Sequence, residues 1–197
     1  SSVDGQRILE LTQWQSQASY DSFQSRLAEE DSADYTKYYE KYTKDKGKSS
    51  LVAPTLLSQS SFLVDQAVAP PGMVPVIEGQ NALVQVSELV AEAPEHDQKL
   101  RAAAIATLAN LPNLYPAPRS AIVLKGISSP ALTLITNWGT TNEFSSPDQV
   151  PTLSLDLDGD PASSLEGDPV TDWFTREDRL YQMVKVIAPK SEKYEKN

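Results

Sequence analysis

The sequence predicts an α+β fold made of ferredoxin-like units with antiparallel sheets, and three observations predict it. Over residues 81–187 the hydrophobic pattern runs strand, helix, strand, strand, a long polar stretch, strand. A strand–helix–strand pattern precedes it over residues 7–68. The two parts also share a strand end of Thr-x-Trp type, "LELTQWQS" at residues 9–16 and "LTLITNWGT" at residues 132–140.

The first strand is "RILELTQW", residues 7–14, which alternates apolar and polar side chains. Tyr20, Phe23 and Leu27 then fall on one helical face, with Ser16 or Ser19 as the N-cap. A second helix carries Tyr35, Tyr38, Tyr39 and Tyr42 on one stripe; packing of that stripe is a simpler reading than binding of a flat ligand. "TLLSQSSFLVDQAV", residues 55–68, reads as a strand, and Pro70, Pro71 and Pro75 form a stiff connector. "NALVQVSELVA", residues 81–91, is a strand. The best helix follows, entered at Pro94, stopped at Pro112, and apolar along Leu100, Ala104, Leu108 and Leu111. "RSAIVLKG" and "ALTLITNWG" are strands around a turn, and "DRLYQMVKVI", residues 178–187, closes the sheet. The second helix of a βαββαβ unit is therefore short or displaced.

Aligned at Trp14 and Trp138, the two parts repeat with a period of 124 residues. From Trp14 to Phe62 is 48 residues, and from Trp138 to Gln182 is 44. Residues 1–72 are thus expected to form a partial ferredoxin-like unit whose opening strands lie upstream or on another chain. Residues 76–197 form a complete unit with an acidic insertion at 140–172. The absence of an initiator Met fits a start that is processed or trimmed.

Composition narrows the function. A chain of 197 residues, 40% of them hydrophobic, can bury a real core. A net charge of -10 argues against nucleic acid or an acidic membrane as partner, because both require clustered Lys and Arg. No apolar run reaches the roughly 18 residues of a membrane span, and no signal peptide is visible. With no cysteine, disulfides, thiolate metal sites and cysteine nucleophiles are excluded, and a cytoplasmic setting is expected.

The stretches "LELTQWQSQASYDSF", "ALVQVSELVAEAPEHDQKLRAAA" and "DRLYQMVKVI" carry a resemblance. On them the chain resembles the antibiotic biosynthesis monooxygenase-like proteins, a branch of the dimeric α+β barrel superfamily. The resemblance covers residues 81–138 and 179–187, and part of 7–70. It implies that two ferredoxin-like units join their sheets into one barrel, as a homo-oligomer or as a pseudo-dimer within one chain. It also implies a hydrophobic aromatic small molecule as partner, and cofactor-free oxygenation, enolisation or cyclisation in secondary metabolism. In such oxygenation the deprotonated substrate supplies the electrons, and the protein binds, orients and stabilises the anion.

That chemistry wants an aromatic wall, an amide or guanidinium donor, and a base. The substrate-binding candidates are Trp138 and its neighbour Asn137, Tyr181, Arg119 and Trp14. The sequence departs from the family pattern in two places. Leu134 and Glu10 stand four residues before the two Trp residues, where family oxygenases carry Asn, and no His follows in either helix region. These departures keep an alternative reading close, a non-catalytic ligand-binding or structural barrel.

Each candidate also has a plainer reading. Asn137 and Trp138 are adjacent, so a regular strand points them to opposite faces. Trp14 and Trp138 also suit packing beneath a helix, and Tyr181 suits the core. His96, the single histidine, lies among acids at a helix start and reads as a surface residue; one His argues against haem or a His-based metal centre. Asp156, Asp158 and Asp160 open an apparent calcium loop, but Pro161 stands at the required glycine and Gly167 at the closing glutamate. That segment reads as an acidic surface loop, and no metal site is expected.

Overall fold

The described residues form five antiparallel strands, two α-helices and four one-turn 3₁₀ helices. The computed structural model describes residues 1–29, 55–77, 81–114, 116–155 and 173–185. The tyrosine stripe at residues 35–42 and the acidic loop at residues 156–168 lie outside them. The chain divides into two compact units, residues 10–59 and residues 1–9 with 60–197.

In the smaller unit, helix α1 (Gln17–Glu29) begins where expected. Ser16 Oγ accepts the Ser19 backbone N–H at 3.2 Å, which satisfies one orphan donor of the first turn. Trp14 meets Tyr20 edge-on and Phe23 at a tilt, at ring distances of 5.8 and 4.8 Å. The strand expected at residues 7–14 is not formed; these residues have no regular secondary structure. Alternation makes a strand only where a partner backbone is available, and Ile8 and Leu11 remain exposed here.

The larger unit holds the sheet. Its strands are β1 (Phe62–Val68), β2 (Ala82–Ala91), β3 (Ser120–Gly126), β4 (Leu132–Thr140) and β5 (Phe174–Gln182). Their spatial order is β1-β3-β4-β2-β5, with every pair antiparallel. The four strands β3-β4-β2-β5 follow the ferredoxin-like order. Strands β2 and β3 run the same way with β4 between them, and helix α2 (Asp97–Asn110) provides the crossover. The result is the α+β fold expected, consistent with a ferredoxin-like α+β barrel unit.

Strand β1 extends this sheet beyond β3, from Phe62↔Gly126 to Val68↔Ala121. A bulge between Val64 and Gln66 leaves Asp65 as the extra residue, and its carboxylate receives both arms of Arg101 on α2 at 2.6 Å. At the opposite edge, Val3 N donates to Leu180 O at 2.9 Å and Ser1 and Gln182 exchange backbone bonds, so the end of β5 from Leu180 to Gln182 is covered. The closing strand lies upstream of the predicted 178–187. The charged run from Thr175 to Arg179 has low strand propensity, yet it pairs residue for residue with β2 from Val86 to Val90. The backbone of β2 requires partners along its whole length, and that demand overrides propensity.

Helix α2 buries Leu100, Ala104 and Leu108 against Leu83, Leu89, Val123, Leu134 and Trp138 of the sheet. This is the helical face predicted, and each fully buried leucine contributes roughly 2 kcal/mol by area. Leu153 and Leu155 belong to the same core. They end a segment that leaves β4 through 3₁₀ turns at Thr141–Glu143 and Pro147–Gln149. That extended segment lies on the helix-covered face, in the chain interval where a βαββαβ unit has its second helix. The other face carries a smaller cluster of Val84, Val86 and Ile135, with Ile77, Ile122, Tyr181 and Met183 packed against it.

The proline connector has a definite shape. Met73 N donates to Pro70 O at 3.0 Å and Gly72 has φ +82°, the pattern of a type II turn with Pro71 and Gly72 at its centre. Among the described residues no helix is long and apolar enough to cross a membrane.

Candidate functional site

Gln85 is a polar residue at the middle of β2, on the face that α2 covers, and only 5% of it is exposed. Its Oε1 accepts two N–H groups, from Trp138 Nε1 at 3.2 Å and from the Leu153 backbone at 3.4 Å. Both neighbours can only donate, so the oxygen must face them and the amide orientation is determined by the network. Nε2 is thereby turned away from both, and among the described residues it has no acceptor.

Gln85 lines an open pocket of about 350 Å³ bounded by β2, β5, the 3₁₀ turn at Pro147–Gln149 and the segment after it. Pro147, Val150, Pro151 and Leu180 supply apolar surface, and Asp178 and Thr152 supply polar groups. Beside it, Arg176 donates to Leu153 O at 2.6 Å, and its Nε reaches Asp178 Oδ1 at 3.0 Å. A longer contact of 3.5 Å links it to Ser87 Oγ. Arg176 thus fastens the carbonyl of Leu153 to β5, while the amide of the same residue holds Gln85. Among the described residues no group of three or more His, Asp or Glu side chains could hold a metal ion.

The five predicted binding residues do not meet at this pocket; none of them lines it. Trp138 is 2% exposed and belongs to the helix-side core, reaching the pocket only through Gln85. Asn137 points to the other face, as strand alternation requires. Its Nδ2 donates to Val76 O at 3.2 Å, and its Oδ1 accepts Gly139 N at 3.0 Å. Ser120 Oγ donates to the same Val76 carbonyl at 2.8 Å, so the pair fastens the proline connector to the sheet.

Tyr181 lies two strands from Asn137 in the same row, with Val84 between them. Burial raises its phenol pKa above the ordinary value. The Arg119 guanidinium binds Glu143 Oε1 at 2.8 Å at an exposed rim. The Glu143 carboxyl is held below the ordinary value by the Thr140 backbone N–H first and by Arg119 second. Trp14 lies in the smaller unit, within its own aromatic cluster. His96 departs from its predicted surface role: it is half-buried against Trp173 at a ring distance of 5.7 Å, and its Nδ1 is buried without a partner among the described residues.

Gln85, Asp178 and Arg176 escaped the sequence reading. The signal for Gln85 was present, as a lone amide among the apolar residues of "ALVQV" on the side shared by Leu83 and Leu89. Arg176 sat in a run too charged to suggest a strand, and Asp178 opened the predicted closing strand without a partner to mark it.

No protein-family model matches the chain. No curated protein matches it. Among solved structures the chain is similar to one described as "Crystal structure study of anthrone oxidase-like protein", at 16% identity and a TM-score of 0.36. The match covers 64% of this chain and 55% of that one, so the chain spans little more than half of that structure's length.

Proposed function

We propose that the chain binds a hydrophobic, aromatic small molecule in the helix-side pocket and transforms it without a cofactor. The reaction is oxygenation of a polyketide-like substrate, or a related enolisation or cyclisation. The observation that carries this reading is the pocket itself. Its volume of about 350 Å³ lies within the range of small-molecule sites, and it combines proline and aliphatic walls with an amide and carboxylates. Asp178 and Asp148 are the proton acceptors along it. An activated CH₂ next to a carbonyl loses a proton there, O₂ takes up the electrons of the resulting carbanion, and loss of water from the peroxide leaves C=O. The balance is CH₂ + O₂ → C=O + H₂O, with the substrate as reductant.

The alternative reading, a non-catalytic ligand-binding or structural barrel, has its own support. The polar groups of Trp138 and Asn137 that would address a substrate are engaged inside the protein. In either reading the chain pairs as a homo-oligomer or pseudo-dimer. Exposed Leu63 and Val64 on the outer strand β1 support that pairing.

Titration with anthrone, a tricyclic enolisable ketone, followed by tryptophan fluorescence and by oxygen uptake, tests the proposal. Saturable binding with uptake of one O₂ per carbonyl formed is expected, and Thr152→Trp, which fills the pocket, should remove both. Binding without oxygen uptake would select the non-catalytic reading, and absence of binding would overturn the pocket assignment. Light scattering tests the oligomer.

A further inference from the structure

We infer that Gln85 is the orienting donor of this pocket, its Nε2 amide preset for one carbonyl, enolate or phenol oxygen of a flat neutral ligand. The inference rests on the pocket being a small-molecule site and specifies which atom of the ligand it addresses.

The geometry carries it in three steps. A carboxamide this deeply buried is expected to use both its ends, yet only the oxygen of Gln85 is satisfied by the protein. The unused end cannot exchange places with the used one, because a flip would set the NH₂ group against the indole N–H and the Leu153 N–H. The pocket therefore offers a donor at Gln85 and cannot offer an acceptor there, so it selects an oxygen acceptor and rejects an N–H or a cation at that point.

The holder of this donor is also fixed. Trp138 is locked in the core, and Leu153 is fastened at its carbonyl by Arg176 at 2.6 Å. Arg176 is in turn paired with Asp178 at 2.8 Å. Arg176 acts as a positioning residue through Leu153. Such a donor needs no reorganisation when charge develops on the acceptor, which suits an oxygen that becomes enolate as its neighbouring carbon loses a proton.

Asp148, Asp178 and Arg179 all line the pocket, and Asp178 is paired with Arg176, so the charges around it nearly balance. A neutral ketone or phenol suits such a site. Its oxygen becomes negative only when the proton moves to a carboxylate, a transfer that leaves the net charge of the pocket and ligand unchanged.

The test compares two probes of the same ring skeleton, anthrone and 9,10-dihydroanthracene, which lacks the oxygen. The full chain is expected to bind anthrone at least about tenfold more tightly, the discrimination a single well-placed hydrogen bond supplies. Gln85→Glu keeps an oxygen for Trp138 and Leu153 but replaces the donor by a second oxygen, and it should bring the ratio close to unity. In a ¹H–¹⁵N spectrum of the unsubstituted chain, the Gln85 side-chain amide pair should shift with anthrone and stay in place with the hydrocarbon. That measurement decides the matter if Gln85→Glu fails to fold. Equal binding of the two probes, or an amide pair unmoved by bound anthrone, would overturn the donor role while leaving the pocket as a ligand site. Binding of neither probe would remove the pocket reading and the donor with it.

Discussion

Trp138 Nε1 and Gln85 Oε1 meet at 3.2 Å on the helix-covered face of neighbouring strands, and the meeting converts a core tryptophan into the support of a pocket residue. Trp138→Phe keeps most of the ring volume and removes the N–H. The carboxamide oxygen then retains only its longer bond to Leu153. A loss of about 1–2 kcal/mol is expected, read as a lower urea midpoint with unchanged slope. Weaker binding of an oxygen-bearing probe should accompany it, because the amide is no longer held from both sides.

Asn137 and Ser120 share one acceptor, the carbonyl of Val76, at 3.2 and 2.8 Å. Asn137→Asp exchanges a donor for a carboxylate oxygen facing that carbonyl, and should cost about 2–3 kcal/mol. Ser120→Ala should cost about 1 kcal/mol. Because both bonds fasten the same connector, the losses should not add. Chemical denaturation of the two single variants and the double variant measures the coupling.

Much of the architecture was legible because each element announced itself by period. Leu100, Ala104 and Leu108 marked the face of α2, and the opposed directions of Asn137 and Trp138 followed from strand alternation alone. The strand at residues 7–14 misled for the converse reason: its alternation was real, but a partner strand cannot be read from one segment. The candidate site was less legible. Its residues are brought together by long-range pairing of β2 with β5 and by Leu153 settling into the core, and none of these follows from local spacing. The sequence drew attention to the aromatic residue, whereas the structure gives the pocket-facing position to the amide behind which it stands.

Thr136 lies opposite Gln85 in the β2–β4 register, fully buried, with Oγ1 unpartnered among the described residues. A buried hydroxyl that makes no bond keeps its desolvation cost without return. Thr136→Val replaces it by a methyl of similar shape and should stabilise the chain by about 1 kcal/mol. For a chain of this size the thermal midpoint should rise by roughly 2–4 °C. A fall in the midpoint would show that the hydroxyl has a partner outside the protein, such as a bound water.

Gly139 is required by its surroundings. Its φ is +99°, and a Cβ placed on it would lie 2.6 Å from Glu143 Oε1. That carboxylate closes the turn after β4 by accepting Thr140 N at 3.0 Å and binds Arg119 at 2.8 Å. Gly139→Ala should cost about 1–3 kcal/mol through backbone strain and displacement of Glu143. Adding Glu143→Ala removes the collision but not the positive φ. The double variant should therefore recover only part of the loss, which thermal melts of the single and double variants will show.

Asp65 and Arg101 supply the pH dependence. The hydrogen bonds from Arg101 hold the Asp65 carboxyl below its ordinary value near 3.8, and the charge of Arg101 adds to the effect. A carboxyl with a depressed folded pKa stabilises the fold above the unfolded value, and that contribution is lost as pH falls through the folded value. Stability from this pair should therefore be complete at pH 7, begin to decline below about pH 4, and vanish once the carboxyl is protonated in the folded chain. Arg101 is nearly half exposed, so solvent and salt screen the pair and keep its contribution small. Asp65→Asn removes the titration while keeping the shape. The stability difference between the unsubstituted chain and Asp65→Asn should be greatest near neutrality, shrink in acid, and diminish in high salt. Urea unfolding of both chains at pH 7 and near pH 3, with and without added salt, measures it. A difference that does not change with pH would assign the contribution of Asp65 to the shape of the bulge rather than to its charge.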